Sequence, residues 1–124
     1  MYNDYYIFGV SVGGGALYDR VVDENNLDEK IVASIIRQML LGLQHIQACS
    51  VLHLDLKPEN VMMVAPTGYQ LKIIDFGMAY FYDPKRPRRQ MGGTYTYSAP
   101  ETINYEYQSF ATDIWSVAVI AYEL

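Results

Sequence analysis

Apolar residues recur at three- and four-residue steps between Asp28 and Ala48, at Ile31, Val32, Ile35, Ile36, Met39, Leu40, Leu43 and Ile46. That spacing gathers them on one face of a helix. Asn26 or Asp28 can cap its first turn through a side-chain oxygen, and Asp28 and Glu29 suit the positive end of its dipole. A shorter amphipathic segment, Ala16 to Val22, follows the run Gly13-Gly14-Gly15, which bends readily and makes a poor helix interior. Further along, Val61 to Val64 and Tyr69 to Ile74 are β-compatible runs separated by Ala65-Pro66-Thr67-Gly68, a pattern that predicts a β-hairpin. The chain closes on Thr112 to Leu124, apolar nearly all round, which predicts a buried helix. Two polar stretches, His53 to Asn60 and Asp75 to Glu101, flank the hairpin, and functional groups are expected in those loops.

Composition narrows the class. The 124 residues are 51% hydrophobic and 19% charged, the balance of one domain that buries a core. A net charge of -5 disfavours a general binder of nucleic acid or anionic membranes. The single cysteine, Cys49, excludes an internal disulfide framework and fits a reducing compartment. Met1 to Tyr5 lacks the basic region of a secretory signal, and the lipid-compatible run Ile114 to Tyr122 falls short of the ~20 residues that span a bilayer. The expectation is a soluble, cytoplasmic protein with no nucleic-acid or membrane partner. The basic loop with Lys85, Arg86, Arg88 and Arg89 reads first as solvated, with an acidic partner or a targeting role as the alternative.

The polar stretches hold a specific inventory. Asp55, Lys57 and Asn60 share one turn-rich octapeptide, His53-Leu54-Asp55-Leu56-Lys57-Pro58-Glu59-Asn60, and Asp75 lies on a glycine-containing turn just past the hairpin. A hairpin brings its two ends together, so Asn60 and Asp75 can converge as oxygen ligands with Asp55 and Lys57 beside them. Hard oxygen ligands suit Mg²⁺ shared with phosphate oxygens. A lysine neutralises charge on a moving phosphoryl group, and an aspartate can accept a hydroxyl proton. The set suits phosphoryl transfer. His53 is expected to pack as a structural residue, and nothing supports a metal or nucleophilic role for His45 or Cys49.

The order of these residues resembles the protein kinases: H-x-D-x-K-P-x-N at His53 to Asn60, D-F-G at Asp75-Phe76-Gly77, A-P-E at Ala99-Pro100-Glu101, and D-x-W-S at Asp113 to Ser116. Lysine at position 57 resembles the serine/threonine class. Residue by residue, the resemblance implies that Asp55 orients or deprotonates the substrate hydroxyl, Lys57 stabilises the γ-phosphate, and Asn60 and Asp75 hold the metals. Thr94 would contact the catalytic aspartate and lysine. Met62 would pack beneath the adenine of ATP, with Leu17 beneath Met62. His53 and Phe76 would join the hydrophobic stack of an active kinase. Asp113 would hydrogen-bond the catalytic-loop backbone, and Glu123 stands where some kinases bind a basic substrate residue. Gly14 to Arg20, Leu52 to Asp55 and Asn104-Tyr105-Glu106 resemble the calmodulin-dependent group, nearest the myosin light chain, death-associated and titin-, twitchin- and obscurin-like kinases.

The fold implied is α+β: the mainly helical large, C-terminal lobe of the kinase fold with a small β-hairpin, the N-terminal lobe missing, so that residues 1–124 form a partial kinase domain. The implied cofactors are ATP and Mg²⁺. The partners are a protein substrate with Ser or Thr and a regulatory tail or calmodulin-type regulator outside this chain, and the setting is cytoplasmic, with a cytoskeletal or sarcomeric version. The sequence departs from the family in several places, among them Ala118 for a usual glycine in the final helix and Gln47 for a histidine common before the catalytic loop. No G-x-G-x-x-G loop, V-A-I-K lysine or αC glutamate occurs in these residues, Ala16 replaces the glutamate that bonds the ATP ribose, and Leu54 replaces the arginine that clamps a phosphorylated loop. The 124-residue chain alone is therefore expected to be inactive. The competing reading is a pseudokinase or scaffold that binds partners without catalysis.

Overall fold

A computed structural model describes residues 12–24 and 27–124. Asn26 and the N-terminal stretch weighed as a signal lie outside the described residues. The longest element, α2 (Glu29–Ala48), starts where Asp28 accepts a hydrogen bond from the Lys30 amide and so occupies the cap. Its inner face places Ile35, Met39, Leu43 and Ile46 in the core. They meet Leu17 of α1 (Leu17–Glu24), Leu56, the strand residues Val61 and Met63, and Tyr97, Val117 and Ile120. Each such burial stabilises by roughly 1.5–3 kcal/mol.

Two antiparallel strand pairs flank this core. In the predicted hairpin, β2 (Val61–Met63) pairs with β3 (Leu71–Ile73) in the register Val61 to Ile73. One further ladder bond runs from the Val64 amide to the Gln70 carbonyl, at 2.8 Å. The second pair, β1 (Val51–Leu52) with β4 (Tyr80–Phe81), closes the chain on either side of the His53–Asn60 octapeptide and the Asp75 turn. The glycine run is more than a bend. Gly14 donates to the Met63 carbonyl, Met63 donates to Gly15, and a Cβ on Gly14 would lie 2.2 Å from the Ala65 oxygen. Only glycine lets the backbone approach β2 so closely.

The short α3 (Pro100–Ile103) leads into α4 (Phe110–Glu123), which opens with a capping box between Ser109 and Thr112. The helix expected to be buried is covered on one face only. Val117 and Ile120 are in the core, whereas Ile114 and Trp115 are nearly half exposed and Tyr122 is 95% exposed. Only one face meets α2, so the other faces solvent with its apolar residues uncovered. With helices and small antiparallel pairs together, the architecture is α+β. Among the described residues no helix is long and apolar enough to cross a membrane.

Candidate active site

The octapeptide between β1 and the hairpin is anchored from beneath by α4. Asp113, fully buried, accepts the His53 amide through Oδ2 and the Leu54 amide through Oδ1, both at 2.8 Å. Burial pushes the Asp113 carboxyl above its usual range, and the two amide donors pull against that by favouring the charged form. Leu54 sits in the left-handed region at φ 65°, a conformation that a branched side chain adopts only under constraint. The paired amide bonds to Asp113 supply the constraint.

His53 is fully buried and both ring nitrogens are occupied. Nδ1 accepts the Asp55 amide at 3.3 Å, which leaves Nε2 to donate to the Ile74 carbonyl at 2.9 Å. Its ring meets Phe76 edge-on at 4.8 Å between centroids. A histidine so bonded links the octapeptide to the Asp75 turn and has no lone pair left to accept a proton.

Asp55, Lys57 and Thr94 form one closed set. The Thr94 hydroxyl donates to Asp55 Oδ1 at 3.0 Å and accepts from Lys57 Nζ at 2.9 Å. Lys57 Nζ lies 3.5 Å from Asp55 Oδ2. Asn60 Nδ2 donates to the Asp55 carbonyl at 2.8 Å and to Asp55 Oδ2 at 3.2 Å. Thr94 reaches this set because Gly93 precedes it at φ 81°, where a Cβ would lie 2.7 Å from the Leu54 carbonyl.

Asp75 joins from the far end of the hairpin. The Ile74 amide donates to the Asn60 carbonyl at 2.9 Å, so Asp75 is one residue past the ladder partner of Asn60. It is exposed at φ 60°, with one carboxylate oxygen accepting the Gly77 amide at 3.1 Å. The donor chemistry fits a hard cation. With both amide hydrogens of Asn60 directed at Asp55, its free group is a carbonyl oxygen, and Asp75 retains a second carboxylate oxygen. Among the described residues no group of three or more His, Cys, Asp or Glu could hold a metal, so other positions around such an ion would fall to phosphate oxygens and water.

Of the two residues assigned to the adenine, Met62 is half-buried and its backbone bridges Ala16. Leu17, the next residue, is wholly buried in the core, able to support that surface and not to touch a ligand directly. Glu123 accepts the Tyr97 hydroxyl at 2.6 Å. Burial first, and then that bond to a carboxylate, push the Tyr97 phenol far above its usual value.

Residues 2–124 match the protein kinase domain family. The chain belongs to the protein kinase family. It is 46% identical to rat myosin light chain kinase 3 over 123 residues, 98% of this chain and 16% of that protein. It is 45% identical to human myosin light chain kinase family member 4 over 98% of this chain and 32% of that protein, and 39% identical to a Caenorhabditis elegans titin homolog over 100% of this chain and 1% of that protein. The chain thus spans less than a third of the length of these relatives. The likeness to myosin light chain and titin-like kinases carried by Gly14 to Arg20 and the catalytic loop agrees with these matches.

Within this kinase chain, two further side chains hold the hairpin in place, Gln38 outside the family motifs and Arg20 at the end of the Gly14 to Arg20 stretch. Gln38 on α2 donates to the Tyr69 carbonyl at 2.9 Å and accepts the Leu71 amide at 3.2 Å, so its amide acts as one more strand link for the hairpin. Arg20 donates to the Pro66 carbonyl at 2.6 Å and pairs with Glu24, tying α1 to the hairpin turn. A polar side chain on the inner edge of an amphipathic helix was the available signal for Gln38. Nothing in the periodicity marks Arg20.

Proposed function

We propose that this chain carries the catalytic-loop portion of a protein serine/threonine kinase, which transfers the γ-phosphoryl group of Mg·ATP to a Ser or Thr hydroxyl of a protein. The observation that carries the reading is the closed Asp55, Thr94, Lys57 set, with Asn60 bonded to the same aspartate. Asp55 is acceptor-only when ionised. Thr94 and Asn60 fix which way its carboxylate faces, so a substrate hydroxyl arriving there can direct its proton at Oδ2. Lys57 keeps a positive charge beside that point, where negative charge on a transferring phosphoryl group would be stabilised. Asn60 and Asp75 are the residues that would hold Mg²⁺, which would supply positive charge to neutralise the phosphates. The half-buried Met62 offers an apolar face for the nucleotide base, supported by Leu17. The names of the relatives favour a muscle or cytoskeletal setting.

Ala16, whose backbone bridges Met62 without offering a carboxylate, favours the scaffold reading instead. One assay separates the two. Mg·ATP phosphorylation of a basic light-chain-like peptide is compared for the 124-residue chain, for the longest natural product that contains it, and for that product with Asp75→Ala. Transfer by the unmutated long form alone supports the kinase. Partner binding without any transfer by the long form supports the scaffold.

A further inference from the structure

Between the Asp75 turn and α3 the chain passes through residues 83–89, every one of them exposed. Two glutamines hold its far end. Gln90 Nε2 donates to the Met78 carbonyl at 3.1 Å, just past the Asp75-Phe76-Gly77 turn. Gln108 Nε2 in turn donates to the Gln90 carbonyl at 2.9 Å and to Thr102 Oγ1 at 3.1 Å, while its own amide donates to the Arg88 carbonyl at 3.2 Å. Two stacks flank the bridge, with the Arg88 guanidinium 5.3 Å from the Tyr80 ring and that of Arg89 4.4 Å from the Tyr107 ring.

Gln108 is 2% exposed, and among the described residues its Oε1 is buried without a hydrogen-bond partner. An orphaned acceptor is unfavourable, and a leucine would fill the same space without one. What only the amide provides is its donor half, used twice, toward the Gln90 backbone and toward Thr102. Thr102 lines the small depression that also includes Leu54, Asp55, Thr94 and Ser98. The glutamine therefore links the exposed segment to the wall beside Asp55.

We propose that Gln108 is a positioning residue for the protein substrate: acting through Gln90 and Thr102, it sets the course of residues 88–90 relative to Asp55. The proposal rests on the kinase reading, and its test has one arm independent of activity. In the longest natural product, Gln108→Leu is compared with wild type by trypsin cleavage after Arg89, with cleavage after Lys85 as the internal control, and by steady-state kinetics. Cleavage after Arg89 is expected to rise about tenfold, the weight of one or two hydrogen bonds, with cleavage after Lys85 unchanged. The KM for peptide is expected to rise by a similar factor of about ten, with kcat and the KM for ATP within about twofold of wild type. Gln90→Ala, a half-buried site that removes only the link to Met78, should move both readouts the same way by less.

Unchanged cleavage after Arg89 and an unchanged peptide KM overturn the proposal. So does equal acceleration at Lys85 and Arg89 with a lowered unfolding midpoint, which would make Gln108 a general stabiliser. If the wild-type product transfers no phosphate, the kinase reading fails and the substrate role falls with it. The trypsin arm then decides separately whether the bridge orders the segment.

Discussion

The octapeptide His53 to Asn60 and the segment 83–92, which precede and follow the Asp75 turn along the chain, are held in opposite ways. In the first, Asp113 grips two successive amides, His53 occupies both ring nitrogens, and Pro58 and Asn60 are buried. In the second, residues 83–89 are exposed, and the bonds that reach the rest of the fold are those of the Gln90 and Gln108 amides, with two stacked arginines beside them. Groups that must meet a reacting atom within tenths of an ångström are built on buried charge and backbone bonds. A surface that has to admit and release a partner is built on contacts worth about 1 kcal/mol each.

The comparison breaks most completely at Asp55. Asp55→Ala in the longest natural product should lower kcat by about 10²–10⁴, the range that loss of a positioned proton acceptor produces, while leaving the unfolding midpoint near that of wild type. Steady-state kinetics and a urea titration on the same preparation check both halves. A variant with kcat near wild type would remove Asp55 from the proposed role.

Asp113→Ala attacks the same loop from below. Two buried amides lose their acceptor and Leu54 loses its constraint at φ 65°, so stability should fall by about 2–4 kcal/mol. The loss is offset in part because a carboxylate no longer has to be buried. Hydrogen exchange should quicken at His53 and Leu54 far more than at residues 83–92. Equal acceleration in both regions would mean that Asp113 supports the whole domain and not the loop.

Thr94→Val is the finer cut, since it keeps shape and removes one hydroxyl. Lys57 and Asp55 lose their bridge but retain their own 3.5 Å pairing. About a tenfold fall in kcat with unchanged stability is expected, and kinetics against melting temperature checks it. No fall would reduce Thr94 to a bystander.

These contrasts also mark how far the sequence could be read. The three- and four-residue spacing from Ile31 to Ile46 gave α2 nearly residue for residue, because one face of that helix alone meets the core. In α4 the same reasoning marked apolar surface on nearly every side, of which the structure buries one face. Its residues are apolar on every side, and periodicity has no means of distinguishing a helix covered all round from one whose Ile114, Trp115 and Tyr122 face solvent. The pairing of β1 with β4 escaped notice because two-residue strands carry no alternation to detect. In the octapeptide, residue types alone suggested phosphoryl transfer and the motif resemblance suggested the roles. The contact from Thr94, 39 positions from Asp55 along the chain, came from the resemblance alone, since spacing does not report a contact of that range. Gln108 had no sequence signal at all: a glutamine in a polar stretch looks solvated until its neighbours are known.

The smallest effect concerns Tyr97, whose phenol is held neutral by burial and by its bond to Glu123. Its folded pKa lies above the unfolded value of about 10, so the stability it contributes is complete below about pH 10 and is lost as pH rises from there toward the folded value. Tyr97→Phe breaks the bond, but Glu123 is exposed and returns to water, so the variant should be less stable than wild type by only about 1 kcal/mol at pH 8. Above pH 10 the unfolded wild-type chain gains by ionising this phenol, at about 1.4 kcal/mol per pH unit, and the variant does not. The gap should therefore close near pH 11. Tyr69 and Tyr80, whose phenols are also pushed up, are present in both proteins and cancel in the difference. Urea midpoints for the pair at pH 8 and pH 11 measure it, and a gap that stays constant would mean that the Tyr97 phenol ionises as readily in the fold as in the open chain.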